Sequence, residues 1–147
     1  MVPGPEHRAI TRVFDILEHC GRRGKRGDAP VFGFKVEGNW QTLGGDGYRE
    51  QVLRLSRGLM ALGIGQGERV ATILRNGPEW NFLDMALLRL GAVQVPVYPT
   101  ISQHNIAYIL RDAGVKYVFC ADTELRESIR SLSAQGMAAL KVYTVKG

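Results

Sequence analysis

From Val70 to the end of the chain, short apolar runs alternate with helical stripes, and the connections between them are only a few residues long. Val70–Leu74, Val93–Val97, Lys116–Ala121 and Leu140–Val145 read as strands. Between them, Trp80–Leu90, the segment carrying Ile106, Ile109, Leu110 and Ala113, and the segment carrying Leu125, Ile129 and Leu132 read as helices. Strands that alternate with helices over such short links form βαβ crossovers. The predicted fold is therefore α/β, a mainly parallel sheet with helices packed on it.

The punctuation supports these boundaries. Gly63, Gly91, Gly114 and Gly136 follow helical stripes and can end them. Ser102 and Asp122 stand where helix N-caps belong. Asn76 is predicted to cap the Trp80 helix, with Glu79 reaching back in a capping box and Pro78 in the first turn. That helix is apolar nearly all round and is expected to be buried on most sides. Pro96 cannot donate a ladder hydrogen bond, which puts its strand at or finishing near an edge.

Ahead of this alternation the chain opens differently. Residues 1–8 contain Pro3, Gly4 and Pro5 and are expected to be disordered. A first helix starts near Thr11, with Ile10, Val13, Phe14, Leu17 and Cys20 at helical spacing, and Gly21 can end it. Val31–Val36, the turn residues Glu37-Gly38-Asn39, and Trp40–Leu43 form a predicted antiparallel hairpin. The next helix carries Tyr48, Val52, Leu55, Leu59 and Leu62 on one face, with Arg49, Glu50, Arg54 and Arg57 off it. Gly44-Gly45-Asp46-Gly47 precedes it. No Lys-Ser/Thr follows and the GxGxxG spacing is absent, so a phosphate loop is rejected in favour of a loose turn with Asp46 as cap.

With 147 residues and 45% hydrophobic content, the chain reads as one structural unit, residues 1–147, or part of a larger domain. No run approaches the roughly 18 apolar residues of a membrane span, and the N-terminus lacks a signal-peptide core. Cys20 and Cys120 are isolated thiols that fit a reducing cytoplasm. The net charge is +5, concentrated in Arg22, Arg23, Lys25 and Arg26. Without interleaved aromatic residues this segment reads as a solvated loop and gives no sign of nucleic-acid binding. Association of the same residues with an anion or a membrane surface is the weaker alternative.

A catalytic search returns no catalytic, cofactor-binding or metal-binding residue. His7, His19 and His104 are scattered, and His104 reads as a surface histidine. Asp112 and Asp122 read as helix-end residues, while Trp80 and Tyr98 read as core aromatics before pocket walls.

The order of the short motifs adds what composition cannot. Gly58-Leu59, Leu62-Gly63-Ile64, Gly67-Glu68-Arg69-Val70-Ala71 and Asn76-Gly77-Pro78-Glu79-Trp80 are followed by Gly91-Ala92-Val93, Val95-Pro96-Val97-Tyr98-Pro99-Thr100 and Ile106-Ala107-Tyr108-Ile109-Leu110-Arg111-Asp112. From about Trp40 to about Ala121 the chain resembles the opening of the AMP-forming acyl-CoA synthetases. The VPVYPT form is similar to long-chain fatty acid–CoA ligases in particular. Glu68 stands where the family more often has Asp, and Gly44–Gly47 replace its usual aromatic-rich helix entry.

The resemblance implies an N-terminal portion of a cytoplasmic ligase that uses ATP, Mg2+ and CoA to convert a fatty acid to acyl-CoA through an acyl-adenylate. The family's phosphate loop, ribose, metal and lysine motifs match no position here, so the fragment alone is expected to be inactive and to hold none of these cofactors. Truncation within the domain would leave apolar surface open and favour a homo-oligomer. A non-enzymatic free-standing module, a fatty acyl-AMP ligase and a peptide-synthetase adenylation domain are the alternatives.

Overall fold

Residues 70–73 are buried on both faces, and the architecture follows from that. The computed structural model describes residues 10–17, 29–134 and 139–145. The order is β1 (Pro30–Val36), β2 (Asn39–Gly44), α1 (Gly45–Ala61), β3 (Arg69–Ile73), α2 (Pro78–Leu90), β4 (Val93–Pro96), α3 (Gln103–Asp112), β5 (Tyr117–Cys120), α4 (Thr123–Ala134) and β6 (Lys141–Thr144). The four strands β4-β3-β5-β6 form a parallel sheet, and β1 and β2 form a separate antiparallel pair.

Side chains alternate across the sheet, so consecutive residues of a buried strand enter different cores. Val70, Tyr117 and Phe119 join α1 and α2 in one core, through Val52, Leu59, Leu83 and Leu87. Ala71, Ile73, Val118 and Cys120 join α3 and α4 in the other, through Ile106, Leu110 and Ile129. Helices on one side, a sheet, and helices on the other make three layers. The chain steps from β3 to β4 on one side, then returns past β3 to β5 on the other. Crossovers of the same hand made in opposite directions place their helices on opposite faces.

Helix ends fix the register of this stack. Leu62 ends α1; Gly63 follows at φ 86, and Ile64 N–H donates to the Leu59 carbonyl at 3.0 Å. Gly91 repeats the motif at φ 69, with Ala92 N–H on the Leu87 carbonyl, and so does Gly114 with Val115 on Leu110. In each case the residue after the glycine is buried. The left-handed turn drops the chain from helix into sheet within two residues. Tyr117 Oη braces the first junction by donating to the Leu62 carbonyl at 3.1 Å.

The hairpin closes on a turn in which Glu37 and Gly38 both have positive φ, as a two-residue hairpin loop requires. Its inner Phe32 meets Tyr48 edge-on at 4.8 Å and Phe82 at 6.1 Å, joining the hairpin to α1 and α2.

Several expectations hold. Ser102 Oγ accepts from Asn105 N–H at 3.3 Å, and Asp122 Oδ1 accepts from Leu125 N–H at 2.8 Å. Pro96 ends the edge strand β4. Others are corrected. Gly45-Asp46-Gly47 is the first turn of α1 and not a loose turn, and Gly44, not Asp46, is the cap. A Cβ at Gly47 would lie 2.7 Å from Leu43 Cδ1, so the absence of a side chain lets the helix start against its own strand. Helix α2 starts one residue later than a capping box from Asn76 requires, with extended Gly77 as cap. Asn81 Nδ2 donates to the Gly77 carbonyl at 3.2 Å in its place. Burial of α2 is complete only along Leu83, Ala86 and Leu87, and its remaining apolar residues are half-buried. The calls on residues 1–8, Cys20, Gly21, the Arg22–Arg26 segment and Gly136 lie outside the described residues.

Two substitutions test this stack. Leu87→Ala empties a fully buried site and should cost about 2–5 kcal/mol. Gly91→Ala forces a left-handed φ on a residue with a Cβ and should cost about 1–2 kcal/mol. Urea unfolding should show both losses in that order; an unchanged midpoint for Leu87→Ala would contradict the two-core packing.

Candidate functional site

In an open parallel sheet, ligands bind beyond the carboxyl ends of the strands, where neighbouring strands send their crossovers to opposite faces. Here that point lies between β3 and β5. A cavity of about 270 Å³ opens there, lined by Leu74, Arg75 and Asn76 after β3, Ala121 and Asp122 after β5, Val145 after β6, and Glu79 and Trp80 from α2. The ladder continues into the floor, with Ala121 N–H donating to the Ile73 carbonyl and Val145 N–H to the Cys120 carbonyl, both at 3.0 Å.

The cavity is apolar at its base and charged at its rim. Leu74, Ala121, Val145 and the Trp80 ring supply the apolar walls. Arg75 Nη2 stands 4.0 Å from Asp122 Oδ2. Asp122 is already committed through Oδ1 to the start of α4, and Glu79 occupies the first turn of α2. Both helix N-termini thus carry their own carboxylate, which offsets the attraction of the exposed N–H groups for an external anion. With two carboxylates against one guanidinium, this rim does not fit a nucleotide triphosphate. Among the described residues no group of three His, Cys, Asp or Glu side chains is arranged to hold a metal ion.

The sequence candidates are dispersed. Trp80 is half-buried: it packs against the core shared by α1 and α2, as expected, and also lines the cavity. Tyr98 is 78% exposed, so the expectation of a core aromatic is corrected: the loop after β4 turns it outward. His104 is exposed in the first turn of α3. His7 and His19 lie outside the described residues. Arg75, Asn76 and Asp122 were not singled out as site residues by sequence. Their signal was positional: each follows a parallel strand within three residues.

Cys120 ends β5, just before the cavity residue Ala121, and is fully buried. Its Sγ lies 3.1 Å from the Tyr143 carbonyl, and burial, reinforced by Asp122, pushes its thiol up to about 11. Burial and then Asp84 push the Tyr48 hydroxyl up to about 12. Burial likewise raises the Asp84 carboxyl.

Comparison with known proteins gives this architecture a lineage. The family model described as AMP-binding enzyme matches residues 19–146. The chain belongs to the AMP-binding enzyme family. The long-chain-fatty-acid–CoA ligase FadD15 of Mycobacterium bovis is 28% identical over 120 residues, covering 82% of this chain and 20% of that protein. The uncharacterized protein Rv1549 of Mycobacterium tuberculosis is 31% identical over 120 residues, covering 82% of this chain and 66% of that one. The N-terminal subdomain of Klebsiella oxytoca NpsA, solved with 3-hydroxybenzoyl-AMSN, superposes with a TM-score of 0.74 at 23% identity, covering 92% of this chain and 30% of that one. The chain therefore spans about a fifth of the length of the FadD15 ligase it matches. Its fold is that of the N-terminal part of adenylate-forming enzymes.

The raised thiol and phenol make two predictions. A Cys20→Ser variant should not react with a thiol reagent at pH 8 until denatured; fast native labelling would contradict the burial of Cys120. In the unfolded chain these groups ionise near 9.0 and 10.0, but in the folded chain only near 11 and 12. Above pH 9 the unfolded state thus binds fewer protons, and stability falls as pH rises. The melting temperature should decline between pH 9 and 12, and a flat profile over that range would count against it.

Proposed function

We propose that this chain is the N-terminal part of a long-chain fatty acid–CoA ligase. The longer protein would join a fatty acid to CoA at the expense of ATP, with Mg2+, through an acyl-adenylate and release of pyrophosphate and AMP. The observation that carries this reading is the alignment of 82% of the chain with 20% of FadD15. The VPVYPT run, Val95–Thr100, supports it.

In this reading the described residues are scaffold. The two cores hold a parallel sheet rigid, and the glycine stops at Gly63, Gly91 and Gly114 set where helices meet strands. None of the 147 residues carries the chemistry. The reacting groups belong to other parts of the longer protein, which works in the cytoplasm, where ATP and CoA are available.

Two observations favour other readings. The 66% coverage of Rv1549 supports a short free-standing module. The likeness to NpsA supports another adenylating enzyme.

Product analysis separates them. The longer protein, incubated with ATP, Mg2+, palmitate and CoA, should form palmitoyl-CoA. Accumulation of palmitoyl-AMP with no thioester would identify an acyl-AMP ligase. Adenylation of amino or aryl acids in preference to palmitate would identify a peptide-synthetase relative, and no turnover of any acid would support the module.

A further inference from the structure

We propose that the free edge of β6 pairs antiparallel with β6 of a second copy of this chain, about a twofold axis centred on Tyr143. Residues of a strand turn their backbone groups to alternate sides. In β6, Lys141 N–H donates to the Lys116 carbonyl at 2.9 Å and Val145 N–H to the Cys120 carbonyl at 3.0 Å. Lys141, Tyr143 and Val145 therefore face β5, and the N–H and C=O groups of Val142 and Thr144 point the other way. No described strand lies there to receive them, because β6 ends the order β4-β3-β5-β6. A row of free donors and acceptors specifies its occupant, an extended backbone.

The opposite edge of the sheet is built differently. Val93 N–H donates to the Glu68 carbonyl and Val97 N–H to the Thr72 carbonyl, so Gln94 and Pro96 carry the outward groups of β4. Pro96 has no N–H, which leaves Gln94 as the single donor of that edge. The strand of a second copy that matches β6 best is therefore its own β6. In that register Val142 and Thr144 of opposite copies exchange both hydrogen bonds, and Tyr143 meets its counterpart at a close, non-hydrogen-bonded position. Tyr143 already stacks on Phe119 at 5.3 Å, and the pairing continues that stack across the axis. Lys141 falls opposite half-buried Val145 of the second copy and not opposite its lysine. The two Lys141 Cα atoms stay roughly 13 Å apart along the strands, beyond the screening length at physiological salt. Joining the two sheets through β6 leaves only the Pro96 edges outside, so the assembly closes as a dimer. The inference concerns the 147-residue chain and does not depend on which reaction the longer protein performs.

Sedimentation of the full 147-residue chain over a concentration series tests this. It should show a reversible monomer–dimer equilibrium with no larger species. Thr144→Pro removes an outward donor and leaves the ladder to β5 intact; it should raise the dimer dissociation constant by roughly tenfold or more. A second measurement fixes the register and stands even if the proline variant misfolds. In a Cys20→Ser background, Tyr143→Cys places two thiols directly across the axis, within disulfide reach. Mild oxidation should convert it to a covalent dimer. Lys141→Cys, whose two copies lie far apart in this register, should cross-link far more slowly. Four results would overturn the proposal. A chain that stays monomeric at every concentration has no such pairing, and growth into open-ended species means that the β4 edge takes part. A dimer as tight with Thr144→Pro as without it lies on another face, and equal cross-linking of Tyr143→Cys and Lys141→Cys contradicts the register.

Discussion

The rest of the fold depends on β3 having no solvent face. Val70, Ala71, Thr72 and Ile73 are all buried, and strands flank them on both sides. Because successive residues point to opposite faces, the strand can be stable only with helices above and below it. That requirement explains why α2 lies on one side and α3 and α4 on the other. It also explains why the sheet must be entered and left by crossovers. Thr72, the one polar side chain among these four, is satisfied by Gln94 Nε2 at 3.0 Å.

The same arrangement creates the cavity at the strand ends. Helices leaving β3 and β5 toward opposite faces part at the carboxyl ends of those strands. The gap between them is lined by whatever follows the strands. Here that is Arg75, Asn76, Ala121 and Asp122. The carboxylates at this rim stabilise helix starts and face one arginine, which makes the cavity a poor seat for phosphates.

Local chemistry was the legible part of this sequence. Ser102, Asp122 and the glycines at 63, 91 and 114 announced helix ends because each satisfies backbone groups within a few residues of itself. Pro96 announced an edge for the same kind of reason. What failed to show depended on side-chain contacts and strand order that no cap or turn pattern encodes. Gly45–Gly47 read as a turn because the contacts that favour a helix there come from Leu43 and from Phe32 and Phe82 around Tyr48. Gly77 displaced Asn76 as cap because Asn81 takes its carbonyl. The cavity was invisible because strand order, β4-β3-β5-β6, is not written in strand sequence. Tyr98 looked like core for want of any sign that its loop faces outward. Family membership was legible because it rests on the order of many weak turn and cap motifs rather than on any reacting residue.

The central claim is that these 147 residues are the scaffold of an adenylate-forming enzyme and contain none of its reacting groups. Isotope exchange between pyrophosphate and ATP, with Mg2+ and a series of fatty acids, tests it on the isolated chain. The account predicts exchange no faster than the protein-free control with every acid. Acid-dependent exchange by the isolated chain would contradict it.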